Sequence, residues 1–133
     1  MSVEIIPKLS EDQKKILRQY TDEFIATGHS SKGEYEAVIK GSHYIYTVSM
    51  INKKINGIAA ITESEKQLWL TFIYVDKQYR RRKIGTNILW RIKQYMKEFS
   101  YTKLRVGVDL KNEVSNAFFK SFKDLYLVKE LKI

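Results

Sequence analysis

Arg80-Arg81-Arg82-Lys83 form an unbroken basic run, and Ile84, Gly85 and Thr86 follow directly. An almost continuous apolar and aromatic segment, Leu68 to Val75, precedes the run. After it, Ile84, Ile88, Leu89, Ile92, Tyr95, Met96 and Phe99 recur at helical spacing. The order is therefore buried strand, basic loop, amphipathic helix. The first N–H groups of a helix lack internal partners and sit at the positive end of its dipole. Such a start suits a phosphate or pyrophosphate, and Gly85 lets backbone and anion approach closely.

Charge supports an anionic partner. The chain has 133 residues and a net charge of +9. Residues 1–65 hold eight basic against nine acidic side chains, whereas residues 66–133 hold sixteen against six. Five of those sixteen lie within residues 77–83. Nucleic acid, a lipid surface or a phosphorylated cofactor would each satisfy this asymmetry. With no cysteine, the chain has no disulfide, thiolate metal site or cysteine nucleophile. Met1-Ser2-Val3-Glu4 carries no basic flank before an apolar run, and the apolar stretches are strand-sized. The expectation is a cytoplasmic protein without a membrane span.

The elements that must position the basic loop read as follows. Val3 to Ile6 is a short strand limited by Pro7. Ser10 is an N-cap with Gln13 three residues on, opening a helix from about Glu11 to Thr27 that buries Ile16, Leu17, Tyr20, Phe24 and Ile25. Gly28 is its stop. His29 to Ser42 reads as a loop holding one short helix. Tyr44 to Ile51, Asn56 to Thr62 and Leu68 to Val75 are strands joined by polar turns, hence an antiparallel meander with the third strand central. Leu104 to Val108 is a strand, Asn112 to Phe122 a short helix with an aromatic face, and Leu125 to Leu131 a last strand. The size suits one domain, residues 1–133, of α/β (α+β) class. A mixed, mostly antiparallel sheet of about six strands is expected, with helices on both faces.

Arg80 to Gly85, with Tyr74-Val75 and Tyr79 ahead of it, resembles the pyrophosphate loop Arg/Gln-x-x-Gly-x-Gly/Ala of the GNAT superfamily of acetyl-CoA-dependent N-acetyltransferases. Gly85 matches the last glycine, and Lys83 replaces the first. Lys54 to Ala59 resembles the family's polar turn and Val-Gly-aliphatic strand. Leu104 to Asn112 and Asn112 to Phe119 resemble its later strand and its Asn-x-x-Ala-x-x-aromatic-Tyr helix. The resemblance implies a GNAT-like fold in which the Leu68–Val75 and Leu104–Val108 strands splay around acetyl-CoA. It implies cofactor binding by Phe72, Ile73, Tyr74, Val75, Arg80, Arg81, Arg82, Lys83, Ile84, Gly85, Thr86, Asn112, Asn116 and Phe119. A main-chain N–H near Phe72 to Val75 would polarise the thioester carbonyl. The acceptor would be a primary amine, on a small molecule or on a peptide or protein.

Amine attack needs a proton acceptor, and the departing thiolate needs a proton. Many relatives use a tyrosine where this chain has Phe119. Tyr126 is the nearest substitute, with a packed strand tyrosine as the alternative. Some relatives place a carboxylate near the position of Trp69. Glu63 is the nearest candidate base, and Glu65, Asp109 and His43 are weaker ones. Tyr44, Tyr46 and Tyr74 are candidates for an acceptor pocket. Two other functions stay open: a basic nucleic-acid- or ribosome-binding module, disfavoured because no recognised motif accompanies the charge, and a CoA-binding domain without catalysis.

Overall fold

The computed structural model describes residues 2–26, 35–41, 43–80, 82–109 and 127–132. The elements are β1 (Ser2–Ile6), α1 (Glu11–Ala26), α2 (Glu36–Lys40), β2 (Tyr44–Ile51), β3 (Lys54–Ser64), β4 (Gln67–Val75), α3 (Ile84–Glu98), β5 (Leu104–Asp109) and β6 (Leu127–Lys132). One six-stranded sheet runs β1 to β6 in sequence order. The β1–β4 pairs are antiparallel, while β4–β5 and β5–β6 are parallel. The expected helix at Asn112 to Phe122 and the stop at Gly28 lie outside the described residues.

Local chemistry explains the boundaries. Ser10 Oγ accepts from the Gln13 N–H at 3.2 Å, and the Ser10 N–H donates to Gln13 Oε1 at 2.7 Å. This reciprocal cap satisfies two otherwise free donors at the start of α1. The β2–β3 and β3–β4 hairpins have two-residue loops, Asn52-Lys53 and Glu65-Lys66, with all four residues at positive φ. That left-handed pair matches the twist of antiparallel strands.

Helices cover both faces. The α3 stripe of Ile84, Ile88, Leu89, Ile92 and Met96 packs on Ala59, Ile61, Leu68, Leu70, Leu104 and Val106. On the other face Leu17 and Tyr20 of α1 and Val38 and Ile39 of α2 pack with Tyr46, Val48, Ile58, Ala60, Phe72 and Tyr74. Phe99 departs from the expected stripe. Helix α3 ends at Glu98, and Phe99 is 55% exposed with its ring 4.6 Å from that of Tyr95.

Two bulges shape the centre of the sheet. Met50 pairs with Ile55 and Ser49 with Gly57, so Asn56 is an extra residue in β3. Ile61 pairs with Leu70 and Ala60 with Phe72, so Thr71 is an extra residue in β4. The second bulge reverses the faces of β4. Leu68 and Leu70 point towards α3, whereas Phe72 and Tyr74 point towards α1 and α2. Without the extra residue, strict alternation would place all four on one face.

Candidate active site

Strands β4 and β5 pair only at Leu68–Leu104, Trp69–Arg105 and Leu70–Val106. Pairing stops at the Thr71 bulge. Strand β5 continues with β6 through Asp109–Lys132, so from Phe72 to Val75 β4 has a partner in β3 but none in β5. The sheet is split there. A row of main-chain donors and acceptors faces the split and can receive an extended, amide-bearing ligand as a strand would be received.

The basic loop stands at the end of this open stretch. The Asp76 carboxylate accepts from the Gln78 N–H at 3.1 Å, and the Asp76 N–H donates to the Asn56 carbonyl at 2.9 Å. These bonds fix a single 3₁₀ turn, Lys77–Tyr79. Arg80 turns back: its Nε donates to the Val75 carbonyl at 3.2 Å, and its guanidinium lies 5.1 Å from the Tyr74 ring centre. Arg82 lies over the Tyr79 ring at 5.6 Å. Both contacts are cation–π pairs that hold the loop's charge near the split.

Lys83 is the N-cap of α3, in the left-handed region at φ 61° and ψ 23°, and its side chain makes no capping bond. Its carbonyl accepts the first intrahelical bond, from the Asn87 N–H. The N–H groups of Ile84, Gly85 and Thr86 therefore have no acceptor within the helix. A left-handed residue ahead of these amides forms a concave nest for an anion. The glycine expected at position 83 from the motif is thus a conformational requirement, which lysine meets at the cost of strain. Gly85 is the second residue of the helix.

The α1 side of the open stretch is aromatic. Phe72 and Tyr74 stack at 6.3 Å, Tyr20 lies 4.9 Å from Tyr74, and Tyr35 and Phe24 lie 5.2 and 6.0 Å from Phe72. The Tyr74 hydroxyl donates to Glu23 Oε2 at 2.7 Å. Burial first, then that bond to a carboxylate, pushes the Tyr74 phenol up to about 12, although Arg80 pulls the other way. Burial and the Asp76 and Glu23 carboxylates raise the Tyr20 phenol as well. Both phenols are neutral at pH 7.

The structure brings Phe72, Ile73, Tyr74, Val75, Arg80, Arg82, Lys83, Ile84, Gly85 and Thr86 to one corner. Arg81, Asn112, Asn116, Phe119 and Tyr126 lie outside the described residues. Glu63 is not part of the corner. It pairs with Leu68 on the closed half of β4, four residues from Phe72, and its carboxylate helps raise the phenols of Tyr101 and Tyr95. That separation is roughly 13 Å along the strand. Tyr46 is also removed from any pocket: it is 1% exposed and donates to the Val38 carbonyl. Glu23 and the Thr71 bulge are the additions. Glu23 had no sequence signal, because its partner lies 51 positions away. The single polar residue in Leu-Trp-Leu-Thr-Phe-Ile-Tyr-Val was the available hint for Thr71. Among the described residues no group of acidic or histidine side chains is arranged to hold a metal ion.

The profile of the acetyltransferase (GNAT) family matches residues 11–123. The chain belongs to the GNAT acetyltransferase family. Solved structures share its fold. The PaiA N-acetyltransferase of Thermoplasma acidophilum, in complex with coenzyme A, superposes with a TM-score of 0.70 at 18% identity, covering 91% of this chain and 88% of that one. A GNAT acetyltransferase of Staphylococcus aureus Mu50 gives 0.74 at 17% identity, covering 90% and 82%. An aminoglycoside acetyltransferase from an uncultured soil metagenomic sample, in complex with sisomicin, gives 0.68 at 18%, covering 92% and 86%. No curated protein sequence matches the chain. Within this GNAT chain, the split at Thr71 and the nest at Lys83 are the two features that suit coenzyme A. Among its described residues, no helix is long and apolar enough to cross a membrane.

Proposed function

We propose that this chain moves an acetyl group from acetyl-CoA to a primary amine by direct attack with both substrates bound. The observation that carries the reading is the uncapped start of α3, led by left-handed Lys83, beside a β4 segment without a β5 partner. The donor set fits the cofactor: three amides without an acceptor in the helix and exposed Arg82 and Lys83 for a diphosphate, then strand-like main chain for an amide-bearing arm. By motif resemblance the binding set extends to Arg81, Asn112, Asn116 and Phe119.

Acetyl-CoA supplies an acetyl thioester, which reacts with the amine to give an amide and free thiol. The residues of this chain act around that exchange. Ile84, Gly85 and Thr86 amides hold the diphosphate, and the Phe72 to Val75 backbone aligns the arm. An N–H in that stretch polarises the carbonyl as charge develops on its oxygen. The aromatic wall of Phe72, Tyr74 and Tyr35 limits water at the reacting end. The attacking amine must lose its proton before it reacts, and solvent at the open stretch can accept it. The similar structures above include one enzyme named for aminoglycosides, which supports an amine acceptor as a class.

The test is calorimetric titration with CoA, followed by thiol release from acetyl-CoA over an amine panel. Micromolar CoA binding with amine-dependent release is expected. No binding at millimolar CoA would reject the reading, and binding without turnover on any amine would leave a non-catalytic CoA-binding domain.

A further inference from the structure

Three polar side chains are sealed under the start of α3. Thr47, Ser49 and Asn56 are each 0% exposed. Thr47 Oγ1, Ser49 Oγ and both carboxamide atoms of Asn56 have no hydrogen-bond partner among the described residues. All three lie on one side of the sheet. Tyr46 and Val48 pack on the α1 side, so Thr47 and Ser49, which alternate with them along β2, point towards α3. Their partners in β3 agree. Thr47 pairs with Ala59, which belongs to the core under α3, and Ser49 pairs with Gly57, where a Cβ would meet Ile84 and Ile88. Asn56 is the extra residue of the β3 bulge, after Ile55, which packs on the α1 side, and before Gly57. Alternation therefore puts its carboxamide on the α3 side, next to Ser49.

Buried groups of this kind are satisfied in native proteins, by other protein groups or by ordered water. The set of side chains sorts the ligand. Two hydroxyls and a carboxamide offer donors and acceptors together and carry no charge. An ion would have no counter-charge there, and the sealed position admits only a small molecule. Water is small, neutral, and both donor and acceptor. We propose that Thr47, Ser49 and Asn56 enclose one ordered water, a buried hydration site that ties β2 to the β3 bulge beneath the first turns of α3. This site does not depend on the acetyl-transfer reading. Its place gives it a consequence for the basic loop. The Asn56 carbonyl accepts the Asp76 N–H at 2.9 Å, where that loop begins, and Gly57 receives Ile84 and Ile88. A water held by the Asn56 side chain fixes the bulge from which both attachments are made.

The first experiment is a high-resolution crystal structure of the wild type. Density for a water within hydrogen-bond distance of the Asn56 carboxamide and of at least one of the two hydroxyls is expected. The second compares the wild type with Thr47→Val/Ser49→Ala/Asn56→Leu by oxygen-17 magnetic relaxation dispersion of water. The triple variant should show one long-lived water fewer, because an apolar site of similar shape stays dry. Urea midpoints add a third readout. Each single substitution strands the polar groups that remain, so the triple variant should lose less stability than the three single losses together. A wild-type crystal in which the Asn56 carboxamide bonds directly to Ser49 or Thr47, with no water between them, overturns the site. Equal dispersion amplitudes in the two proteins, or strictly additive losses of stability, overturn it as well. The crystal structure decides by itself if the triple variant does not fold.

Discussion

Gly57 lies against Ile88: a Cβ built on Gly57 would come within 3.0 Å of Ile88 Cδ1. It would also meet Ile84 Cγ2 and the Tyr74 carbonyl, each at 3.3 Å. Two of these neighbours belong to the first turns of α3, and the third belongs to the open stretch of β4. The missing side chain therefore lets helix and split strand close on each other. Gly57→Ala should destabilise the protein by about 1–3 kcal/mol, because the Tyr74 carbonyl is backbone and cannot rotate away. It should also weaken CoA binding by lifting the amides of α3 from the β4 end. Urea denaturation and CoA calorimetry on the same variant check both effects; unchanged stability would show that Ile88 simply changes rotamer.

Gly57 was legible as a motif position, but its packing partner was not. Periodicity reports which face of an element is apolar, and that sufficed for the α1 and α3 stripes. Hairpin loops were legible from polar residues between apolar strands. Bulges are different: an extra residue at Thr71 leaves alternation looking intact, with Leu68, Leu70, Phe72 and Tyr74 all apolar. The face reversal depends on pairing with Ala60 and Ile61, which are remote in sequence. The Glu23–Tyr74 bond is likewise a long-range product of packing. The basic loop could be read because all its parts are contiguous.

Lys83 should accept glycine well. Its left-handed backbone costs a residue with a Cβ about 1 kcal/mol, which glycine removes while adding unfolded-state entropy of similar size. Lys83→Gly should therefore keep or slightly raise thermal stability, whereas Lys83→Val should lower it by about 1–2 kcal/mol, because branching at Cβ disfavours positive φ. CoA affinity should fall more for valine than for glycine, since the former also distorts the nest. Thermal melts and calorimetry decide; a glycine variant less stable than valine would refute the strained-cap account.

Arg82 is exposed and, among the described residues, is held over the Tyr79 ring. Its removal should leave the fold intact and act on the cofactor. Arg82→Ala is expected to raise the CoA dissociation constant about threefold to tenfold at low salt, with the difference shrinking near 0.5 M salt as screening removes the lost term. A wild-type affinity independent of salt would mean that the guanidinium groups do not touch the diphosphate.

Tyr74 should make the protein's stability fall in alkali. Its phenol stands at about 12 in the folded chain, against an ordinary value of 10.0. Below about pH 10 both folded and unfolded forms hold the proton, and this contribution to stability is complete. Between about pH 10 and 12 the unfolded chain releases the proton while the folded chain retains it, so stability declines across that window. Tyr20, Tyr46, Tyr95 and Tyr101 are raised as well and add to the slope. Tyr74→Phe removes one titrating group and should make the decline shallower, while lowering stability at neutral pH through the lost bond to Glu23 by about 1 kcal/mol. Urea midpoints for both proteins, taken at intervals from about pH 8 to 11, measure the two slopes. Parallel slopes would mean that the Tyr74 proton is as easily lost in the folded protein as in the unfolded one, and that the carboxylate of Glu23 does not hold it.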